Sequence, residues 1–189
     1  MRLSSFSLAA NAIADLKLCG PNRDVAAYWL TLWRGDTPPT RARFAQRRGW
    51  THNPAISYFE VRKNQSVLCV AAGVYFELAL GCNLVGQDML ALVPEADRKV
   101  RLSRTWAVGE GGVMAANRQF GSSRTACSAQ EVYLPFSDRP GGDTRYYMLH
   151  SNWRPVGSEW VTGTAQTNTG LAHDPNVLPF TERLAQSGL

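Results

Sequence analysis

The sequence lacks the motifs that mark the common enzyme and membrane-protein classes. No run of 18 or more apolar residues occurs among its 189 residues, so no segment qualifies as a membrane-spanning helix. No Gly-x-Ser-x-Gly elbow and no phosphate-binding loop is present. None of the four cysteines lies in a Cys-x-x-Cys pair, which argues against a zinc site. We therefore predict a protein that is not an enzyme, holds no metal and does not associate with membranes.

Lysine is also scarce, with 3 lysines against 17 arginines in a chain of net charge +5. The densest basic run comprises Arg41, Arg43, Arg47 and Arg48. Nucleic-acid binding would favour aromatic residues among these charges, and Phe44 and Trp50 are nearby. One short run behind a Pro-Pro pair is more typical of a solvated connecting loop. We interpret it as that loop and do not expect a nucleic-acid partner.

The cysteines show no spacing typical of a disulfide framework, which suits a reducing cytoplasm. Cys69 and Cys82 lie among apolar residues, and we expect both to be small core residues.

Composition divides the chain into three parts. Residues 1–23 form a lead-in in which serines interrupt the apolar residues, which favours an amphipathic segment over a secretory signal. Residues 24–156 carry the strong secondary-structure patterns and form the predicted domain. Residues 157–189 are a polar, turn-prone extension with a short predicted helix at 179–186.

An aromatic helix is predicted at residues 24–34, with Asp24 as its N-cap and Gly35 as its stop. Its apolar residues recur at helical spacing on one face: Val25, Tyr28, Trp29, Leu32 and Trp33. Such a face must pack on the chain's own sheet or on the same helix of a second subunit. The interface candidates are Val25, Trp29, Leu32 and Trp33.

The remaining patterns predict an α+β domain. Strands are predicted at 58–62 and 67–72, joined by a tight turn, and at 113–120, 130–136 and 146–153. A short buried helix or turn is predicted at 74–80, followed by a reversal whose glycines, Gly81 and Gly86, can adopt positive φ. A longer helix is predicted at 94–108, with a buried face formed by Val93, Ala96, Val100, Ser103 and Ala107.

In this order, the elements and their motifs resemble the PAS domain family, in particular its short stand-alone members from alphaproteobacteria. The matching motifs are Tyr28-Trp29, Trp33-Arg34-Gly35-Asp36, Pro39-Thr40-Arg41-Ala42, Gly81-Cys82-Asn83-Leu84-Val85-Gly86 and Glu131-Val132-Tyr133-Leu134-Pro135-Phe136. The resemblance implies a five-stranded antiparallel sheet with small helices on one face, here with an extra N-terminal amphipathic helix. It also implies sensing or partner binding, often as a homodimer, and a cavity for a small apolar ligand. Asn83 stands where the family more often has Asp.

Cofactors known in this family find no clear ligand in the sequence, so the cofactor stays unidentified. Flavin photoreceptors of the family have a cysteine directly after the asparagine, whereas Leu84 follows Asn83 here. Haem would need an axial ligand, and the long helix contains no histidine. His150, on the last strand, is the only histidine placed to face a pocket, and a hydrogen-bonded sheet histidine is the simpler interpretation.

Candidate pocket residues follow from strand alternation. They are Met114, Phe120, Val132, Leu134, Met148 and His150. Plain core packing is the alternative for each of them.

Three hypotheses follow. The first is a stand-alone PAS-type regulator that binds a small ligand or a signalling protein and acts through protein–protein contact. The second is a structural or dimerisation module with a filled core. The third is a small α+β enzyme, which would need His150 beside a buried carboxylate.

Overall fold

The computed structural model describes residues 4–47, 53–120, 127–138 and 144–155. The 157–189 extension and its predicted helix lie outside these residues, as do Trp50 and His52. The elements in chain order are α1 (Ser5–Asp15), α2 (Gly20–Thr31), α3 (Arg41–Phe44), β1 (Ile56–Arg62), β2 (Ser66–Ala71), α4 (Val74–Leu80), α5 (Glu95–Gly109), β3 (Met114–Phe120), β4 (Cys127–Phe136) and β5 (Thr144–Pro155).

The five strands form one antiparallel sheet in the order β2-β1-β5-β4-β3. This confirms the predicted α+β fold with the sheet that the PAS resemblance implied. The last strand of the chain lies at the centre of the sheet. It pairs with β1 on one side and with β4 on the other.

Two turns use the backbone conformations that their sequences favour. Asn64, in the β1–β2 turn, has φ 57°, which asparagine tolerates better than most residues. Gly81 ends α4 with φ 68°, and Gly86 follows with φ 82°. Both glycines therefore adopt the positive φ that was predicted for them.

Helices cover both faces of the sheet, and each face has its own core. We call the side beneath α4 and α5 the inner face; its buried residues include Phe59, Tyr133, Tyr147 and Leu149. The opposite side, beneath α1, α2 and α3, is the outer face; its buried residues include Trp29, Phe44, Val132, Leu134 and Met148. Alternate residues of each central strand therefore belong to different cores.

The aromatic helix begins earlier than predicted. It starts at Gly20 after an N-cap at Cys19, with Pro21 in its first turn, where proline needs no hydrogen-bond partner. Asp24 is an exposed residue inside the helix and not its cap. The lead-in is also structured: Ser4 caps α1 by accepting a bond from Ser7 N at 3.1 Å, and Ala9 is buried.

The predicted buried face of the long helix was only partly correct. Val93, just before α5, is buried, but Val100 is 48% exposed. The residues of α5 that are buried are Thr105, Val108 and Gly109, with Leu102 and Trp106 packed against the inner core. The buried residues thus lie in the C-terminal half of the helix and do not match the face grouped over its whole length.

Two local predictions also need correction. The basic run is not merely a solvated loop, because residues 41–44 form the single-turn helix α3 and Phe44 is completely buried on the outer face. The Arg41 guanidinium carbon lies 3.7 Å from the centroid of the Tyr146 ring. Cys69 is buried as predicted, but Cys82 is exposed, because it follows the left-handed turn at Gly81 that carries the chain away from α4.

Candidate functional site

The inner face is packed by aromatic side chains from three strands and α4. The rings of Phe59 and Tyr147 are stacked with their centroids 5.1 Å apart, and Tyr133 lies 6.0 Å from Tyr147. Phe76 of α4 meets Phe59 edge-on at 6.2 Å. Burial raises the pKa of Tyr147 and raises that of Cys69 to about 12. Neither group is an acid or a nucleophile near neutral pH.

One carboxylate is completely buried on this face. Glu131 Oε2 accepts a hydrogen bond of 2.6 Å from the Tyr133 hydroxyl. Across the sheet, Glu131 lies between Ala116 of β3 and Ser151 of β5. Glu131 and Tyr133 point to the side of β4 opposite to Val132 and Leu134, and both sides are buried.

The outer face contains a polar network between α2 and the sheet. Asn22 Nδ2 donates to the backbone oxygen of Gln130 at 2.8 Å, and Cys19 N donates to the Gln130 Oε1 at 2.6 Å. Asn22 Oδ1 lies 2.6 Å from His150 Nδ1. Because the amide nitrogen of Asn22 is used as a donor, its oxygen faces the imidazole, and His150 must carry its proton on Nδ1.

His150 is therefore a neutral, hydrogen-bonded histidine. Its side chain is buried, and this burial lowers the pKa of His150 to about 4. The cause is desolvation, because burial disfavours the charged form of the imidazole.

The buried histidine and the buried carboxylate lie on opposite faces of the sheet. His150 pairs across the strands with Val132, and Glu131 pairs with Ser151. Since neighbouring residues of a strand point to opposite sides, the sheet itself separates the two groups. They do not form the acid–base pair that the enzyme hypothesis required.

The six pocket candidates do not form one group. Met114 belongs to the inner core, whereas Val132, Leu134 and Met148 belong to the outer core, where His150 also lies. Phe120 ends β3, and its side chain lies outside the described residues. A role in ligand binding stays a prediction for each of them, but one cavity cannot include both sets.

The four interface candidates are covered to different extents. Val25 and Trp29 are buried against the chain's own sheet, and Trp29 Nε1 donates to Pro135 O at 2.9 Å. Leu32 and Trp33 are half-buried near the end of α2. Trp33 contacts Phe6 of α1 with ring centroids 5.6 Å apart. The interface prediction now depends on Leu32 and Trp33 at the end of α2, because Val25 and Trp29 already pack within the subunit.

An apolar surface that the sequence analysis missed lies on α4. Val74, Tyr75 and Leu78 share one side of this helix at helical spacing, and Leu78 is 73% exposed. Val85, in the turn that follows α4, is 54% exposed, and this turn is bound to the helix because Glu77 Oε1 accepts a 2.9 Å bond from Leu84 N. We call these four residues, Val74, Tyr75, Leu78 and Val85, the α4 patch. Exposure of this kind is typical of contact surfaces.

Within the described ranges, no group of three or more histidine, cysteine, aspartate or glutamate side chains is placed to hold a metal ion. No helix of the described part is both long and apolar enough to cross a bilayer.

Comparison with known proteins gives a limited likeness of fold. No family model and no curated protein matches the chain. A domain of an HTR-like protein from Haloarcula marismortui ATCC 43049 is 20% identical at a TM-score of 0.34; the match covers 55% of this chain and 99% of that domain. The structure of RsLOV D109G is 13% identical at a TM-score of 0.34, covering 55% of this chain and 62% of that one. The fold is therefore defined by the chain's own sheet and not by these neighbours.

Proposed function

We propose that this protein is a PAS-type sensory or regulatory protein that acts through protein–protein contact and performs no chemistry itself. A small ligand or a signalling protein would provide the input, and a change in a contact surface would be the output. The observation that carries the proposal is the α4 patch, an exposed apolar surface on a fold whose two cores are already closed by helices.

The α4 patch is our candidate surface for the signalling partner. Its four side chains are between 47% and 73% exposed. A folded protein gains free energy by covering such a surface, at about 25 cal/mol for each Å² of apolar area. No charged side chain belongs to the patch, and the nearest one, Glu77, already accepts the bond from Leu84 N. An apolar segment of a partner protein is the matching ligand.

The end of α2 is our candidate surface for a homodimer. Trp33 and Leu32 are half-buried there, and Phe6 of α1, whose ring contacts Trp33, is 38% exposed. Contact between two copies would extend the outer core across the subunits. The two surfaces would then serve different partners on opposite sides of the sheet.

Two observations favour a non-enzymatic role. The buried histidine and carboxylate are separated by the sheet, and the buried thiol of Cys69 has a raised pKa. Cys19, Cys69 and Cys82 are free thiols, which suits the reducing cytoplasm in which we place the protein.

Native mass spectrometry of the whole protein, compared with its denatured mass, tests the proposal. We expect dimers in the wild type, with or without an added small mass, and monomers for Trp33→Ala. Val100→Ala is the matched control because Val100 is an exposed apolar residue on α5, on the other side of the sheet. Wild-type protein that is monomeric at every concentration and carries no added mass would contradict the homodimer and the retained ligand.

A photo-crosslinking residue tests the partner surface in the cell. Placed at Leu78, it should give one adduct of defined mass, whereas the same residue at Val100 should give none. Equal adducts at both positions, or no adduct at Leu78, would remove the α4 patch from the proposal.

A further inference from the structure

A groove of about 500 Å³ lies outside both cores, between the β1–β2 turn, the segment 88–91 and α5. Its volume lies within the range of small-molecule sites. The groove has an apolar floor and a polar rim, and its lining residues come from all three segments.

Leucines form the floor of the groove. Leu90 is almost completely buried, and Leu102 is half-buried on α5. Both side chains pack into the inner core, which also contains Val108 of α5. A molecule seated on these leucines would therefore touch the helix that covers the inner face of the sheet.

Positive charge dominates one side of the rim, where Arg98 and Lys99 lie exposed on α5. Arg98 Nε donates to Val93 O at 3.0 Å. This bond fixes the direction of the side chain and does not use the Nη groups, which are the groups that bind oxyanions in pairs.

Amides form the opposite side of the rim. Asn64 and Gln65 belong to the β1–β2 turn, which is held by a 3.1 Å bond from Gln65 N to Arg62 O. The one acidic residue of the lining, Asp88, accepts bonds of 3.0 Å from Val67 N and Leu90 N on a single oxygen. The lining therefore carries two cationic side chains, Arg98 and Lys99, against this one carboxylate.

From this geometry we infer that the groove binds an anionic amphiphile, a small molecule with one carboxylate, phosphate or sulfonate group on an aromatic or short acyl body. The anionic group would lie between Arg98 and Lys99, and the apolar body would cover Leu90 and Leu102. The inference deepens the proposed sensory role by naming a ligand class. It places the ligand outside the two cores that contain the pocket candidates.

A fluorescent probe of this class, 1-anilinonaphthalene-8-sulfonate, tests the inference on the whole protein. We expect saturable binding at one site. Binding should weaken at least tenfold in the double variant Arg98→Ser/Lys99→Ser and should weaken as salt is added. Lys17→Ser/Arg23→Ser is the matched control, since it removes the same charge from exposed positions on the other side of the sheet.

The neutral analogue N-phenyl-1-naphthylamine separates the two parts of the site. It should bind far more weakly than the sulfonate and should not respond to the Arg98→Ser/Lys99→Ser change. Amide shifts in NMR spectra should map sulfonate binding to residues 64–65, 90–91 and 98–102.

Three results would overturn the inference: no saturable binding, equal weakening by both double variants, or shifts confined to the α4 patch. The proposed function would survive these results if native mass spectrometry still found a dimer or a retained mass. Conversely, sulfonate binding in the groove of a protein that forms no complexes would support the site and contradict the regulatory role.

Discussion

The two faces of the sheet are closed by helices in different ways. On the inner face, α4 and α5 cover stacked aromatic rings, and the buried Glu131 is bonded to Tyr133 within the same strand. On the outer face, α2 is bound to the sheet through Asn22, Gln130 and His150, in addition to the packing of Trp29. On the side of α5, an exposed ion pair joins Arg145 of β5 to Glu110 at the end of the helix, with Arg145 Nε 2.6 Å from Glu110 Oε1. The contact of α2 instead includes a buried histidine, His150.

This difference indicates what each layer contributes. Apolar packing is non-directional, and most of the contact between the inner helices and the sheet is of this kind. A buried hydrogen-bond network depends on the protonation of each member, and it loses stability when one member changes charge. Protonation of His150 should therefore weaken the attachment of α2 on the outer face.

Truncating an aromatic residue of the inner face should have the largest effect. Phe59→Ala removes a buried ring that is stacked on Tyr147, and we expect a loss of about 3–5 kcal/mol of unfolding free energy in urea. Tyr58→Ala is the control, because Tyr58 points to the outer face and is half-buried. The Tyr58→Ala variant should lose less than half as much unfolding free energy as Phe59→Ala. An equal loss for the two variants would contradict the distinction between the faces.

The second largest effect should come from acidification, which should weaken the attachment of α2 to the outer face of the sheet. The pKa of His150 is lowered to about 4, against about 6.5 for an unfolded chain. Between these values the unfolded chain binds a proton and the native chain does not. The contribution of neutral His150 to the free energy of unfolding is therefore complete above pH 6.5. It is lost as the pH falls toward 4, by about 3 kcal/mol in total. Urea unfolding across this range should show the loss, and His150→Gln should remove most of it.

The smallest predicted effect is the difference in stability between alanine substitutions at two glycines, Gly109 and Gly20. A Cβ atom on Gly109 would lie 2.6 Å from Arg145 Cβ and 3.1 Å from Val61 Cγ1, because α5 approaches the sheet closely there. Gly109→Ala should cost about 1–3 kcal/mol. A Cβ atom on Gly20, at the start of α2, would meet nothing within 4 Å. Gly20→Ala should be neutral or slightly stabilising in thermal unfolding. A neutral Gly109→Ala would show that α5 is less tightly packed than described.

The positions of the strands and most element bounds could be predicted because they depend on local patterns, whereas the order of the strands in the sheet was not predicted. Alternation, turn residues and glycines marked the five strands and α4. Sequence alone could not show which helices cover which face. Glu131 illustrates this, since a strand with one charged residue among apolar ones looks half-exposed until a second helical layer is known to cover it.

The candidate site was less predictable. Asn22 and Gln130 meet across 108 positions of sequence, and no local pattern marks such a pair. The α4 patch was missed for a different reason, because apolar residues of a short helix were expected to be buried. A hydrogen-bonded sheet histidine was one interpretation of His150, and its hydrogen-bond partner is the side-chain amide of Asn22 on α2. Ligand binding by His150 stays a prediction.

Hydrogen exchange measured by mass spectrometry at pH 7 and pH 5 tests the central claim, that the two helical layers are attached in different ways. After correction for intrinsic rates, we predict that α2 loses protection relative to α5 at pH 5. His150→Gln should abolish this relative loss. Equal changes in α2 and α5, or a loss in α2 that persists in His150→Gln, would contradict the account.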